Sequence, residues 1–493
     1  SRHSPLASRL SPLATRLSPL ATRLSLLALL QSSIRSRLLA HNQAFVMNRL
    51  NRRSFVKRAA AGVAAPMIVP ATVFGKQAPS NRITIGFIGV GNNGYNWSRR
   101  FLKDDRCQIV AVCDVNREGP GYWNNSVRGR EPARQLVDEA YGGKTCDAYE
   151  DYREVLQRED VDAIYIGTPD HWHALIAVAA ANAKKDIYGQ KPLSLTIDEG
   201  RQMVRAVERN GIVWQTGSQQ RSDANFRRVC ELVRNGRIGK LQTVRCGLPG
   251  GVPDFGKTAD RTDPEPIPDG FNYDFWLGPA PWAEYCPARV GVNFRWILDY
   301  SGGQITDWGG HHPDIAQWGM DTERTGPIAI KNARGKFADG PIYNTAVEFS
   351  YDCIYANGVR LTISSAERPG VTFEGTDGWV WANRGNHEAS SEEIYNSVIA
   401  ENEIHLYESN DHVGNFLDCV QTRKKPVAPV EVAHRSITLA HLGNIALRCG
   451  RDLRWDPAAE DFVGDEGASE MLSRPYREPW DKEWARQLSA IPA

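Results

Sequence analysis

Residues 82–94 read RITIGFIGVGNNG: a short apolar, β-branched run from Arg82 to Val90 that passes through Gly89, Gly91 and Gly94 into a helical stretch ending near Phe101. Strand, glycine turn and helix in that order let a backbone approach a pyrophosphate closely, because glycines permit the bend and the helix N-terminus offers unpaired N–H groups. Asn92 and Asn93 sit inside that turn and are expected at the phosphates with the glycines. A second run, Gln108 to Cys113, ends at Asp114, twenty residues after Gly94. A carboxylate there can accept from ribose hydroxyls and repels a 2′-phosphate, which favours NAD; Arg117 keeps NADP open.

The alternation continues. Val161 to Gly167 reads as a buried strand running into Thr168-Pro169-Asp170-His171-Trp172-His173, followed by a helix over Ala174 to Ala183. Asp186 to Tyr188 is a further short strand, ending in Gly189-Gln190-Lys191-Pro192-Leu193. Both clusters lie at carboxyl ends of strands, where open α/β sheets carry their functional groups. Thr196 to Asn210 is a helix opened by a capping box, Thr196 with Glu199, and Ile212 to Thr216 supplies the last strand of this domain. From about residue 218 a helix, Ala224 to Asn235, precedes strands at Leu241 to Leu248, Ile328 to Arg334, Thr345 to Tyr351, Arg360 to Ser364 and Trp379 to Ala382. No helices separate these strands, which predicts a large, mostly antiparallel open sheet. The expected fold is therefore an N-terminal Rossmann dinucleotide-binding domain over 80–217 and a C-terminal α+β domain over 218–493.

The charge is divided unevenly. Residues 1–79 hold twelve Lys or Arg and no acid, which leaves the body with 58 acids against 47 bases, a charge of about −11. Such a body opposes a nucleic-acid partner, and no apolar run is long enough to predict a membrane span in the mature form. Residues 4–24 repeat SPLASRL, SPLATRL, SPLATRL, and this low-complexity leader, 1–46, is expected to stand outside the native structure. From Met47, the twin arginine Arg52-Arg53, Phe55, Lys57 and an Ala-rich run over 47–79 fit a twin-arginine export signal and a destination in the periplasm or otherwise outside the cytoplasm. The nine cysteines are scattered with no C-x-x-C, so most are expected to be buried small hydrophobes.

The glycine fingerprint, Thr168-Pro169 with His173, and Gln190-Lys191-Pro192 together resemble the glucose-fructose oxidoreductase and inositol dehydrogenase family, Gfo/Idh/MocA. Asp307-Trp308-Gly309-Gly310-His311-His312-Pro313-Asp314 is similar to that family's histidine segment, and the resemblance covers roughly 80–493. One departure is Gln190, where the family usually has Glu; the amide keeps the hydrogen-bonding shape but removes a negative neighbour from Lys191. The resemblance implies a homo-oligomer paired across the open sheet, cofactor contacts from Thr168, Pro169, Trp172, His173, Gln190 and Lys191, and substrate contacts from Arg221, Trp296 and His312.

Were Ile305 to Met320 a single helix, Asp307 and His311 would stand four apart on one face, and the carboxylate could orient the imidazole. Lys191, from the other domain, could then reach the same substrate oxygen, and Lys191, His311 and Asp307 form the expected catalytic set. His171, His173, His311 and His312, with Asp170 or Asp307, offer a metal set instead; the resemblance implies chemistry without metal. The long loop 249–295 is rich in aromatic residues, among them Trp276, Trp282 and Tyr285, whose faces suit sugar rings. The expected activity is hydride transfer between a sugar, glycoside or polyol hydroxyl and tightly bound NAD(H). The alternatives are an NAD-dependent glycoside hydrolase acting by transient oxidation and elimination, N-acetylgalactosaminidase-like, and a sugar-binding module with a vestigial cofactor.

Overall fold

The computed structural model describes residues 81–493; the leader and the twin-arginine stretch lie outside the described residues. Six parallel strands form the first sheet in the order β3-β2-β1-β4-β5-β6: β1 Ile83–Ile88, β2 Cys107–Cys113, β3 Asp147–Tyr149, β4 Ala163–Ile166, β5 Asp186–Gly189 and β6 Trp214–Thr216. Strands β1 and β4 are buried almost throughout, and their unbroken apolar runs are what burial on both faces of a parallel sheet demands. The chain reverses its direction of travel across the sheet between β1 and β4, so the crevice beyond their carboxyl ends is where a ligand fits. The Ile197–Asn210 helix opens with the expected capping box: Thr196 Oγ1 accepts from the Glu199 N–H at 3.2 Å, and Glu199 Oε2 accepts from the Thr196 N–H at 3.1 Å.

The second sheet has nine strands, ordered β13-β12-β11-β7-β10-β9-β8-β14-β15. They are β7 Leu241–Gly247, β8 Ala329–Phe337, β9 Ala346–Ile354, β10 Arg360–Ser364, β11 Gly370–Gly375, β12 Trp379–Asn383, β13 Asn386–Ala389, β14 Leu453–Asp456 and β15 Asp461–Phe462. Only the β7–β10 pair is parallel. Helices Ala224–Arg234, His312–Met320 and Val430–Cys449 cover one face of this sheet. The Val430–Cys449 helix, buried nearly all round, also packs on Ile197–Asn210 and so ties the two sheets together.

The chain does not keep to two consecutive blocks. The His412–Thr422 helix returns to the first sheet, where Phe416 and Leu417 join the cluster built on Ile85, Phe87 and Tyr165. Residues 249–300 pack as a unit of their own around Tyr273, Trp276, Trp296 and Tyr300. All nine cysteines are free thiols, eight of them buried. Among the described residues no helix is long and apolar enough to cross a membrane.

Candidate active site

A cleft of about 900 Å³, counting its open mouth, runs along the carboxyl ends of β1, β2, β4 and β5. Its floor is the glycine turn. Gly89 has φ +82°, and a Cβ there would lie 2.5 Å from the Thr168 nitrogen, so the turn and the β4 loop cross at a distance only glycine allows. Gly94 faces away from the cleft: a Cβ on it would run into the Gly89 carbonyl, which makes it the packing glycine rather than a wall of the site. Gly91, Asn92 and Asn93 do line the cleft; Asn93 accepts from the Tyr165 hydroxyl at 2.8 Å and donates to Gln190 Oε1 at 3.4 Å.

Asp114 also stands on the wall. Its two oxygens accept from the Val90 and Asn116 N–H groups at 3.0 and 2.9 Å. Burial raises its carboxyl to about 6, against the pull of those two bonds towards the charged form. Asp114→Ala is expected to weaken NAD binding about 10- to 100-fold, the worth of hydrogen bonds to a charged acceptor, and to narrow any discrimination against NADP. The same narrowing is expected in the unmodified protein as the pH falls through about 6, because the protonated carboxyl no longer repels a 2′-phosphate. Nucleotide titrations of stripped protein at two pH values check both.

From the β4 end come Thr168, Pro169, Asp170 and Trp172, and from the β5 end Gln190 and Lys191. The Trp172 indole donates to the Trp276 carbonyl at 2.9 Å, which fixes the roof of the cleft to the Asp170–Asn182 helix. His173 is set behind the wall, its ring nitrogens 2.7 and 2.9 Å from the Pro192 and Thr168 carbonyls; it braces the two functional loops rather than lining the cofactor position. The roof is formed by Phe275, Trp276, Gly291, Val292, Phe294 and Arg295. It is stitched to the loop after β2 by backbone bonds from Arg117 to Gly270 (2.8 Å), Asn272 to Val115 (3.0 Å), Asn124 to Phe255 (3.1 Å) and Val292 to Gly121 (3.1 Å). Trp123 stacks on Phe255 at 4.6 Å over the same seam.

The expected pairing of Asp307 with His311 does not form, because the helix is broken. One helix ends at Gly309, the next begins at His312, and His311 sits between them with φ −122° and ψ −85°. Asp307 turns instead to Lys191, whose Nζ donates to its carbonyl and to Oδ1, both at 2.8 Å, while Arg295 Nε reaches Oδ1 at 3.2 Å. Burial alone would raise the Asp307 carboxyl, but the charges of Lys191 and Arg295 outweigh it and hold it well below the usual carboxylate range. His311 is pushed far below an ordinary imidazole by burial first, then by Lys191 and Arg384, so it stands neutral; its Nδ1 is buried with no hydrogen-bond partner. Lys191, Asp307 and His311 are therefore brought together as expected, with Asp307 serving the lysine rather than the histidine.

Of the three expected substrate contacts, Trp296 and Arg221 are held in other contacts, while His312 packs against Trp308 at 5.3 Å. His312 gives its Nδ1 to the Gly247 carbonyl at 2.9 Å. Trp296 is fully buried, its indole donating to the Pro253 carbonyl at 3.2 Å. Arg221, 2 % exposed, holds Asp314 at 2.6 and 3.0 Å and Glu323 at 2.7 Å, and Ser436 completes the knot by donating to Asp314. Arg221→Met is expected to lower stability by about 3 kcal/mol, because Asp314 would be left buried without its cation. Urea denaturation checks this, with KM of the folded enzyme unchanged. Sequence reasoning missed Arg295 and Arg384, which reach the site from a loop and a distant hairpin. Among the described residues no three His, Cys, Asp or Glu side chains converge as a metal set.

Comparison with known proteins agrees with this fold. The family description "Oxidoreductase family, NAD-binding Rossmann fold" matches residues 83–218, and "Oxidoreductase family, C-terminal alpha/beta domain" matches 224–482. A Glycosyl hydrolase family 109 protein of Shewanella pealeana is 30% identical over 214 residues, covering 39% of this chain and 44% of that protein. An uncharacterized oxidoreductase, YrbE, of Bacillus subtilis is 29% identical over 160 residues, covering 32% of this chain and 42% of its own length. The matched region thus spans under half the length of these curated relatives. In fold, the WlbA dehydrogenase of Bordetella pertussis, solved with NADH and UDP-GlcNAcA, superposes with a TM-score of 0.54 at 18% identity, over 76% of this chain and 99% of that one. With both its sheets matched in order, the chain belongs to the Gfo/Idh/MocA oxidoreductase family.

Proposed function

We propose that the protein transfers a hydride between a hydroxyl of a sugar, glycoside or polyol and a tightly held NAD(H). The observation that carries this reading is Lys191, which lines the same cleft as the glycine turn and is fixed by Asp307 with two of its three donors. The residues present fit a dinucleotide. The glycine turn admits a pyrophosphate, Asp114 has lone pairs left for a ribose, and the buried Thr168 Oγ1 and Gln190 Nε2 carry no hydrogen bond from the protein. When bound, NAD supplies the hydride acceptor. Lys191 offers its third N–H to the substrate oxygen and steadies the charge that develops there. His311, neutral at physiological pH, takes the hydroxyl proton. The stitched roof covers one side of the cleft, which supports retention of the nucleotide between turnovers.

That retention, together with the glycosyl hydrolase name of a relative, favours a second reading in which the hydride returns to the substrate after a glycosidic bond has been eliminated. The test is to denature the purified protein, identify the released nucleotide, and screen neutral and charged sugars and their glycosides. Net reduction of the nucleotide supports a dehydrogenase; glycoside cleavage without net reduction supports the hydrolase. Absence of any nucleotide or turnover overturns both. Export through the Arg52-Arg53 signal and pairing of copies across the open sheet belong to the same proposal; the first rests on sequence alone.

A further inference from the structure

Arg384 stands at the turn between β12 and β13, at one edge of the nine-stranded sheet, with Gly385 beside it at φ +73°. From there its guanidinium lies over the Trp308 ring, 4.7 Å from the centroid, next to Asp307 in sequence. The Trp308 ring in turn meets the His311 ring edge-on at 5.7 Å. Swapping the Gln220 amide satisfies its surroundings: its oxygen then accepts from Arg384 Nε at 3.2 Å and from His312 Nε2 at 3.3 Å. Among the described residues no carboxylate forms an ion pair with Arg384. The carboxylate near it, Asp307, is already taken by Lys191 and Arg295. Lys191 and Arg295 thus share one committed anion, and Arg384, exposed on its hairpin, stands one ring beyond them across Trp308, within a body whose overall charge is negative.

We propose that Arg384 is a specificity residue that selects a sugar bearing a carboxylate. This rests on the reading of the cleft as a sugar oxidoreductase site and names the substrate class. The chemistry follows from the fork: a guanidinium presents paired N–H groups in a plane that matches the two oxygens of a carboxylate, and the Trp308 face beneath it holds that plane in place. With Nε engaged by Gln220, the two Nη groups remain for the substrate. A neutral sugar leaves this exposed cation to water, whereas a uronate gives it a charged partner. A carboxylate suits a single fork better than a phosphate, which spreads its charge over three oxygens.

The experiment is calorimetric titration of the nucleotide-loaded protein with D-glucuronate, D-galacturonate, D-glucose, D-galactose and glucose 6-phosphate, followed by the same series on Arg384→Gln and Arg384→Lys. The expected result is at least about tenfold tighter binding of one uronate than of its neutral counterpart, as one charge-assisted bidentate contact provides. That preference should be lost in Arg384→Gln and only partly kept in Arg384→Lys, with bound nucleotide and thermal midpoint unchanged in both. Equal binding of uronate and neutral sugar, binding of neither, or a preference that survives Arg384→Gln overturns the proposal. Tighter binding of glucose 6-phosphate than of either uronate overturns the carboxylate assignment. Uronate binding that depends on Arg384 but never reduces the bound nucleotide upholds the selection by Arg384 and counts against the dehydrogenase reading alone.

Discussion

Lys191→Met is expected to lower turnover about 10²- to 10⁴-fold while the nucleotide stays bound. The methionine fills the volume but removes all three donors, two of which hold Asp307 and one of which is available to the substrate oxygen. The oxygen would then carry its developing charge without that ammonium, and Asp307 would keep only Arg295. The fold should survive, because Asp307 retains that partner and Gly89, Asn93 and Asp114 are untouched. Single-turnover reduction of the bound nicotinamide, read by its absorbance with the best sugar found in the screen, measures the effect. Near-normal single turnover would remove Lys191 from the reaction.

His311→Ala should cost turnover on the same scale, for the reason that its neutral ring is the proton acceptor. The pH dependence separates this role from simple packing. Burial and the charges of Lys191 and Arg384 depress the imidazole, so it remains a free base well below the ordinary histidine value of about 6.5. Turnover of the unmodified enzyme should therefore stay level as the pH falls through that value, and only the variant should depend on added buffer bases. If Lys191 and His311 act on one oxygen, the double variant should lose much less than the product of the two single losses. A multiplicative loss would mean that they act independently.

What could be read from the chain was whatever depends on near neighbours. The turn at Gly89 to Gly94, the acid at Asp114 and the capping box of Thr196 with Glu199 are local devices, and each forms where its spacing places it. The Asp307–His311 pairing failed because a spacing of four has meaning only within one unbroken helix, and the chain kinks after Gly309-Gly310. Arg221 and Trp296 carry residue types that suit sugars, yet burial against Asp314 and Pro253 decides their use, and burial is a tertiary fact. Arg384 was invisible for the same reason: it reaches the site only because β12 and β13 pair at the sheet edge. The Val430–Cys449 helix escaped notice because a helix buried on nearly every side has no polar stripe to mark its period.

The backbone bonds between the roof and the loop after β2 bear on how the protein is made as well as on how it works. With Arg117, Asn124 and Val292 bonded to their carbonyls, the roof closes one side of the cleft and leaves its mouth open. Because that seam joins residues 115–124 to residues 255–292, the cleft is completed only once the chain has been made well past its first sheet and has folded back on it.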